Sequence, residues 1–401
     1  MNFRSRDFLT AHSREILDFY LRAGRDERGG YFQNYYDDGR VFAHGDKHLV
    51  SSCRMTFNFY QAHQFLDARN EEERAQWLAW AEHGLAYLRE AHKRADAPGY
   101  VWTFKDYQPA DQRQYCYGYA FLILAFASAV SAGEESARED LYAAWELMEK
   151  HFWQPQQGLY ADEISADWSQ VSDYRGQNAN MHACEAMIAA YEATSDSRFL
   201  ARAIELAEKV VLELGGKSDG LVWEHFTLGL DIDWDYNKDD PKNLYKPWGF
   251  QPGHQTEWTK LLLMLARHSD LPWLTAKARE LFDRAMEAAW DDRHGGLFYG
   301  FAPDQSICDD DKYFWVQAES FAAAALLGEA TGNEGYWRWY ERLWEYSWTH
   351  FVDHDHGAWY RILNADNSKV TDKKSEAGAK CDYHSLNACL ETLRVLRASS
   401  I

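Results

Sequence analysis

No run of 18 apolar residues occurs in this 401-residue sequence, so nothing in it is expected to span a membrane. Basic residues are scarce: 42 Lys and Arg stand against 63 Asp and Glu, for a net charge of −21. Nucleic-acid binders carry a basic footprint, and an anionic membrane surface repels such a chain, so neither is expected as a partner. What is left is a neutral small molecule, or an anion met by a local cationic side chain. No CxxC pair is present among the six cysteines, Cys53, Cys116, Cys184, Cys308, Cys381 and Cys389. They read as reduced thiols of a cytoplasmic protein rather than a disulfide framework. The first residues carry Arg4, Arg6 and Arg14 but no apolar segment, unlike a secretory signal. A Gly-rich phosphate loop, a GxGxxG turn and an HExxH helix are also missing. His44 and His48 flank Asp46, but no third ligand accompanies them, and Asp353-His354-Asp355-His356 reads as a solvated turn. No metal and no cofactor are expected.

What the chain does have is a large apolar fraction, 46%, and 16% aromatic residues, among them 18 Trp. Rings fill cores, and they also offer flat apolar faces to the C–H bonds of a ligand. One short pattern recurs, a glycine followed by alternating aromatic or aliphatic residues. It starts at Gly30, Gly99, Gly158, Gly220, Gly296 and Gly357, at intervals of 69, 59, 62, 76 and 61 residues. Six units of similar size follow from it. Each copy reads as a short strand after a glycine turn. Between copies lie two helix-length segments of different character. Leu141, Trp145 and Met148 share one face of a charged segment, as do Ile204, Ala207, Val211 and Leu214, which marks amphipathic outer helices. Tyr119–Ala127, His182–Tyr191 and Phe321–Leu327 are apolar nearly all round, which marks helices buried on every side. Six of each make a double ring, an all-α (α/α)6 barrel with short β-hairpin loops, read as a single domain over residues 1–401. An amphipathic segment near 6–24 supplies the first outer helix and a segment near 382–398 the last inner one. An open solenoid of helix pairs is the competing fold.

In such a ring the first turns of the inner helices converge on one end. The residues there are polar and aromatic: Arg54; Tyr117; Asn178 and His182; His254, Glu257 and Trp258; Trp315 and Glu319; His384. Asn178 and His182 are four apart, as are His254 and Trp258, and Trp315 and Glu319, so each pair shares a helix face. Polar groups on an apolar helix cost free energy unless paired or facing water, and lining one common funnel satisfies that condition. Each residue also has a plainer reading. His182 fits a satisfied core histidine, Trp258 and Trp315 fit packing, and Arg54 fits an ion pair with Glu257 or Glu319.

The runs Asn178-Ala-Asn-Met-His182-Ala-Cys-Glu-Ala, Pro252-Gly-His254-Gln-Thr-Glu257-Trp258 and Lys380-x-x-Tyr-His384 resemble the N-acylglucosamine 2-epimerase superfamily, in register along the whole chain. Within it the sequence is most similar to the aldose–ketose isomerase branch, the D-mannose isomerases. That resemblance implies an (α/α)6 barrel and catalytic histidines at His254 and His384. It implies sugar contacts at Arg54, Tyr117, Asn178, His182, Glu257 and Trp315. It also implies cofactor-independent interconversion of D-mannose, or similar aldoses such as D-lyxose, with a ketose such as D-fructose. A small monosaccharide would be the only partner of a monomer or homodimer. Histidine titrates near neutrality, as a base moving a proton from C2 to C1 through a cis-enediol must. On this reading His384 moves the proton, His254 assists at the ring oxygen, Glu257 orients His254, and Arg54 with His182 stabilises the enediolate. A 2-epimerase would use the same two bases. A glycoside hydrolase would need two carboxylates such as Glu257 and Glu319, and a non-catalytic binding barrel would need neither. One departure stands out: many members have a histidine two residues after the position of Tyr117, where this chain has Tyr119, a position that the resemblance ties to substrate preference.

Overall fold

The two kinds of helical segment occupy two concentric rings. The computed structural model describes residues 1–378 and 382–398; Lys380 and Cys381 of the sequence motifs lie outside the described residues. Among the described residues twelve α-helices follow in chain order: α1 (Arg6–Ala23), α2 (Leu49–Phe65), α3 (Glu71–Tyr87), α4 (Cys116–Ser131), α5 (Ala137–His151) and α6 (Gln177–Thr194), then α7 (Ser197–Ala207), α8 (Pro252–Ala266), α9 (Trp273–Ala289), α10 (Phe314–Thr331), α11 (Glu334–His350) and α12 (Tyr383–Ala398). Odd-numbered helices are outer and even-numbered ones inner. Each inner helix packs on the next, and α12 packs on α2 to close the ring. The barrel is therefore closed, not an open solenoid. None of the described helices is long and apolar enough to cross a membrane.

Burial follows the patterning. α5 buries Leu141, Trp145 and Met148 on one face and leaves its acidic residues outward. In α4 every residue from Gly118 to Val130 is buried, and α10 is buried from Phe314 to Gly328. Each fully buried Leu or Phe there contributes roughly 2 kcal/mol relative to exposure. The alanines of α10 and the glycines of the outer ring let helices approach closely. A Cβ on Gly84 of α3 would lie 2.1 Å from the Tyr31 hydroxyl and 2.2 Å from Thr56 Oγ1 of α2, so any larger residue would force the two rings apart. One detail departs from the expected periodicity. α7 runs on into a π-helical segment, Glu208–Leu214, which shifts the buried face so that Val210 is taken in while Ile204 is only half-buried.

The recurring glycine has a physical reason. Gly30, Gly99, Gly158, Gly220, Gly296 and Gly357 all hold φ between 67° and 108°, where side chains are strained. The strand after each glycine pairs with the residues that precede the inner helix of the unit before it. Lys47–His48 pairs with Thr103–Phe104, Gln114–Tyr115 with Glu163–Ile164, and Arg175–Gly176 with His225–Phe226. Phe250 bridges Phe301, and Lys312–Tyr313 pairs with Ile362–Leu363. Finally Lys373–Ser375 returns to Tyr35–Tyr36, so the last unit is stitched to the first. Two further devices repeat. Side-chain amides of Gln114, Asn180, Gln255 and Gln317 each bond both N–H and C=O of one post-glycine residue, namely Tyr100, Tyr160, Val222 and Leu297. Buried lysines Lys47, Lys312 and Lys374 pair with Asp26, Asp291 and Asp353 at 2.6–2.7 Å, tying the approach to an inner helix to the turn before the glycine. The long 76-residue interval puts its extra chain between Phe226 and Phe250, where Lys242 holds the loop to Asp310 and Asp311 at 2.7 and 2.9 Å.

Candidate active site

All six hairpin seams sit at the end where the inner helices begin, so the polar first turns are gathered beneath them. Trp315, at the start of α10, is 1% exposed and lies between two imidazoles. Its ring centroid is 5.2 Å from that of His254 on α8 and 5.5 Å from that of His384 on α12. Each imidazole is held by a carboxylate through Nδ1. His254 Nδ1 is 2.9 Å from Glu224 Oε1, and His384 Nδ1 is 2.6 Å from Glu319 Oε1. A carboxylate only accepts, so both Nδ1 atoms carry the hydrogen and Nε2 is the nitrogen able to take a proton. His254 Nε2 has no hydrogen-bond partner among the described residues.

A second layer fixes those carboxylates. Trp258 donates its indole N–H to Gln177 Oε1 at 2.8 Å, and Gln177 Nε2 donates to Glu224 Oε2 at 2.9 Å. On the other side Lys260 Nζ stands 2.6 Å from Glu319 Oε2 and 3.6 Å from Glu185 Oε1. Glu185 Oε2 receives His182 Nδ1 at 3.0 Å, and its Oε1 accepts the Tyr383 hydroxyl at 2.7 Å. Burial raises the Glu185 carboxyl, but Lys260 and His182 outweigh it and hold it below the usual carboxylate range. Burial lowers Lys260, yet Glu319, Glu185 and Glu257 bring it above an ordinary lysine. Arg54 donates to the Tyr117 hydroxyl at 2.9 Å and lies 4.3 Å over the Phe121 ring. Burial raises the Tyr117 and Tyr383 hydroxyls, with Arg54 opposing at Tyr117 and Glu185 reinforcing at Tyr383, so both keep their protons at neutral pH. Asn178, at the start of α6, has a buried Oδ1 without a partner among the described residues.

The family profile described as N-acylglucosamine 2-epimerase (GlcNAc 2-epimerase) matches residues 30–388. The chain belongs to that family. A D-mannose isomerase of Marinomonas mediterranea is 49% identical over 395 residues, 98% of each chain. A D-mannose isomerase of Thermobifida fusca is 35% identical over 363 residues, 90% of this chain and 87% of the relative. A crystal structure of D-mannose isomerase superposes with a TM-score of 0.94 at 49% identity, covering 98% of this chain and 99% of that one. The chain is thus an enzyme of the isomerase class.

For this family member the sequence reading places most of its candidates together. His254, His384, Trp315, Glu319, His182, Glu257 and Arg54 share connected contacts on five inner helices, and Tyr117 adds a sixth element through Arg54. Two expectations change, and Trp258 gains a partner. The carboxylate on His254 is Glu224, not Glu257; Glu257 Oε1 lies 3.9 Å from His182 Nδ1. Trp258 is fully buried and donates its indole N–H to Gln177, which in turn holds Glu224. Tyr119 does not take a pocket position: it donates to Gln114 Oε1 at 2.7 Å and packs on Tyr100 and Phe152, on the outer side of α4. Glu224, Glu185 and Lys260, which contact these candidates, were not among the residues that sequence reasoning singled out. Lys260 carried a signal, being a lysine one turn from Glu257 in an otherwise apolar stretch. Of the two histidines with Asp46 between them, His48 caps α2 through Nδ1 and His44 packs on Phe32. Asp353 is the partner of Lys374 in the ring device described above.

Proposed function

We propose that this chain is an aldose–ketose isomerase interconverting D-mannose, and similar aldoses such as D-lyxose, with the ketose, D-fructose in the case of mannose. The observation that carries the reading is the pair of carboxylate-held imidazoles on either side of Trp315, in a chain 49% identical over nearly its whole length to a D-mannose isomerase. His254 takes the proton of the anomeric hydroxyl and gives one to the ring oxygen, so that the C1–O5 bond breaks and the pyranose opens. His384 Nε2 removes the C2 proton, and electrons move toward C1–O1 to form a cis-enediolate, the cis-enediol form in which the hydroxyl proton passes from O2 to O1. The Arg54 guanidinium, with His182, offsets the charge that develops on oxygen. His384 then delivers a proton to C1, its imidazolium having exchanged with solvent while the enediol persists, and the ketose forms. Glu224 and Glu319 stabilise the imidazolium that each base becomes. Trp315 and Tyr117 offer ring faces to the sugar, and Asn178 and Glu257 supply polar contacts.

Every step uses protonic groups of the chain, so the route calls for no metal and no redox cofactor. A 2-epimerase would use the same pair on opposite faces of C2, one histidine removing the proton and the other replacing it. A glycoside hydrolase built on Glu257 and Glu319 is disfavoured, because Glu319 is engaged by both His384 and Lys260. We further propose one catalytic domain over residues 1–401, supported by the unbroken ring of seams. A cytoplasmic monomer or homodimer fits the free thiols Cys53, Cys116, Cys184, Cys308 and Cys389. NMR of the protein with D-mannose in heavy water tests the assignment. Fructose with deuterium at C1 is expected. Glucose as the main early product would replace the isomerase by an epimerase, and inertness toward mannose, lyxose, N-acetylglucosamine and cellobiose would overturn the catalytic reading.

A further inference from the structure

Beneath the two histidines the barrel interior holds an uncommon concentration of buried charge. Glu185, Glu257 and Glu319 are at most 3% exposed, as are Arg54 and Lys260. These are three carboxylates against two fixed cations. Lys260 is the cation placed between elements: it reaches Glu319 on α10 and Glu185 on α6 from its own helix α8. Glu319 in turn holds His384 on α12, and Glu185 holds both His182 and Tyr383. A lysine buried in an apolar helix without use would cost several kcal/mol, and a hydrophobic residue would pack there more cheaply.

We infer that Lys260 is a positioning residue for the isomerase reaction, fixing the Glu319–His384 pair and the Glu185–His182 pair at once and offsetting the carboxylate charge beneath them. The inference rests on the isomerase reading above. Its chemistry is simple. A carboxylate beside an imidazole favours the imidazolium, which cannot act as a base. Lys260, ion-paired with the far oxygen of Glu319 at 2.6 Å, draws part of that charge away and so weakens the carboxylate's support for a proton on His384. It also sets the carboxylate plane, and so the direction of His384 Nε2. Among the described residues, the titratable and charged groups around His384 are Glu319 on α10, Glu257 and Lys260 on α8, Glu185 and His182 on α6, Arg54 on α2, Tyr117 on α4 and Tyr383 beside it. Within that set Lys260 is the cation in direct contact with the carboxylate that holds the base.

The test is the pH profile of kcat/KM for mannose-to-fructose conversion by wild type, Lys260→Met and Lys260→Arg. Loss of the cation is expected to move the acidic limb of Lys260→Met up by about one to two pH units. The loss should fall mainly on kcat, with KM changing less than about threefold if binding contacts are kept. Lys260→Arg should restore the limb. A folded Lys260→Met whose acidic limb coincides with that of wild type overturns the inference, whatever its turnover. Should Lys260→Met fail to fold, Lys260→Met/Glu185→Gln removes one cation and one anion together. Its limb should still lie above that of Glu185→Gln alone, and coincidence of those two limbs would equally refute the role. Absence of wild-type turnover, by contrast, would be the failure of the isomerase reading itself.

Discussion

Glu319→Gln keeps the shape of the side chain and changes only charge and donor pattern, and the surroundings dictate how the new amide must lie. Lys260 Nζ, 2.6 Å from Oε2, needs an acceptor there, so the amide oxygen turns to the lysine. The NH2 then faces His384 Nδ1, at a position where the wild-type carboxylate accepts at 2.6 Å. A donor at that place forces Nδ1 to accept and shifts the imidazole hydrogen to Nε2, the atom that should receive the C2 proton. The substitution also removes an anion about 4 Å from the imidazolium formed in the reaction, worth about 4 kcal/mol at an effective dielectric of about 20. That corresponds to a loss of about 10³ in kcat. The assay is steady-state fructose formation from mannose, with the melting temperature measured alongside. KM should change little, because Glu319 is expected to act on the base and not on the sugar. A Glu319→Gln enzyme with kcat within tenfold of wild type and an unchanged melting temperature would refute the assignment of Glu319 as the group that arms His384.

Three other outcomes follow from the same geometry. Tyr119→Phe removes only the bond to Gln114 and should cost about 1 kcal/mol of stability while leaving kcat/KM within twofold; a tenfold fall in kcat/KM would put Tyr119 back in the pocket. Lys312→Met leaves Asp291 buried without its cation and should cost about 3–5 kcal/mol, most of it regained in Lys312→Met/Asp291→Leu, as read by denaturant unfolding; a loss under about 1 kcal/mol would remove the ring clamps from the account of stability. Asp162 accepts from the Gly176 N–H, and burial pushes its carboxyl up to about 7. The folded chain therefore holds that proton between about pH 4 and pH 7, where the unfolded chain has lost it, so stability falls as pH rises through this window. Asp162→Asn should flatten that fall, and a variant whose melting curve against pH parallels wild type would show that Asp162 is not the group responsible.

The architecture was legible because its requirements are local. A turn with φ near 67–108° selects glycine six times over, and an inner helix can be apolar on all sides only if it is surrounded. His254 and His384 stood out because a polar residue in such a helix needs a reason. Glu224 did not stand out, since it lies 30 residues before His254 in a strand-like run and meets it only when the strand before α6 pairs with the strand after Gly220. Tyr119 was misplaced for a reason the sequence did contain. Two residues on from Tyr117 is about 200° around a helix, so a family pattern in which both face the pocket does not fit an unbroken α4. The extra turn of Glu208–Leu214 was invisible, because π-helical geometry has no residue signature at this level and only the shift from Ile204 to Val210 reveals it.

The seam between Lys373–Ser375 and Tyr35–Tyr36 has a consequence for how the molecule comes apart. In an open array of helix pairs the terminal units have one neighbour and fray first, so melting proceeds from the ends inward. Here every unit has a neighbour on both sides, and there is no end from which to begin. Opening a single seam converts six equivalent units into a row with two weak ends, which makes the first break the hardest and the remaining ones progressively easier.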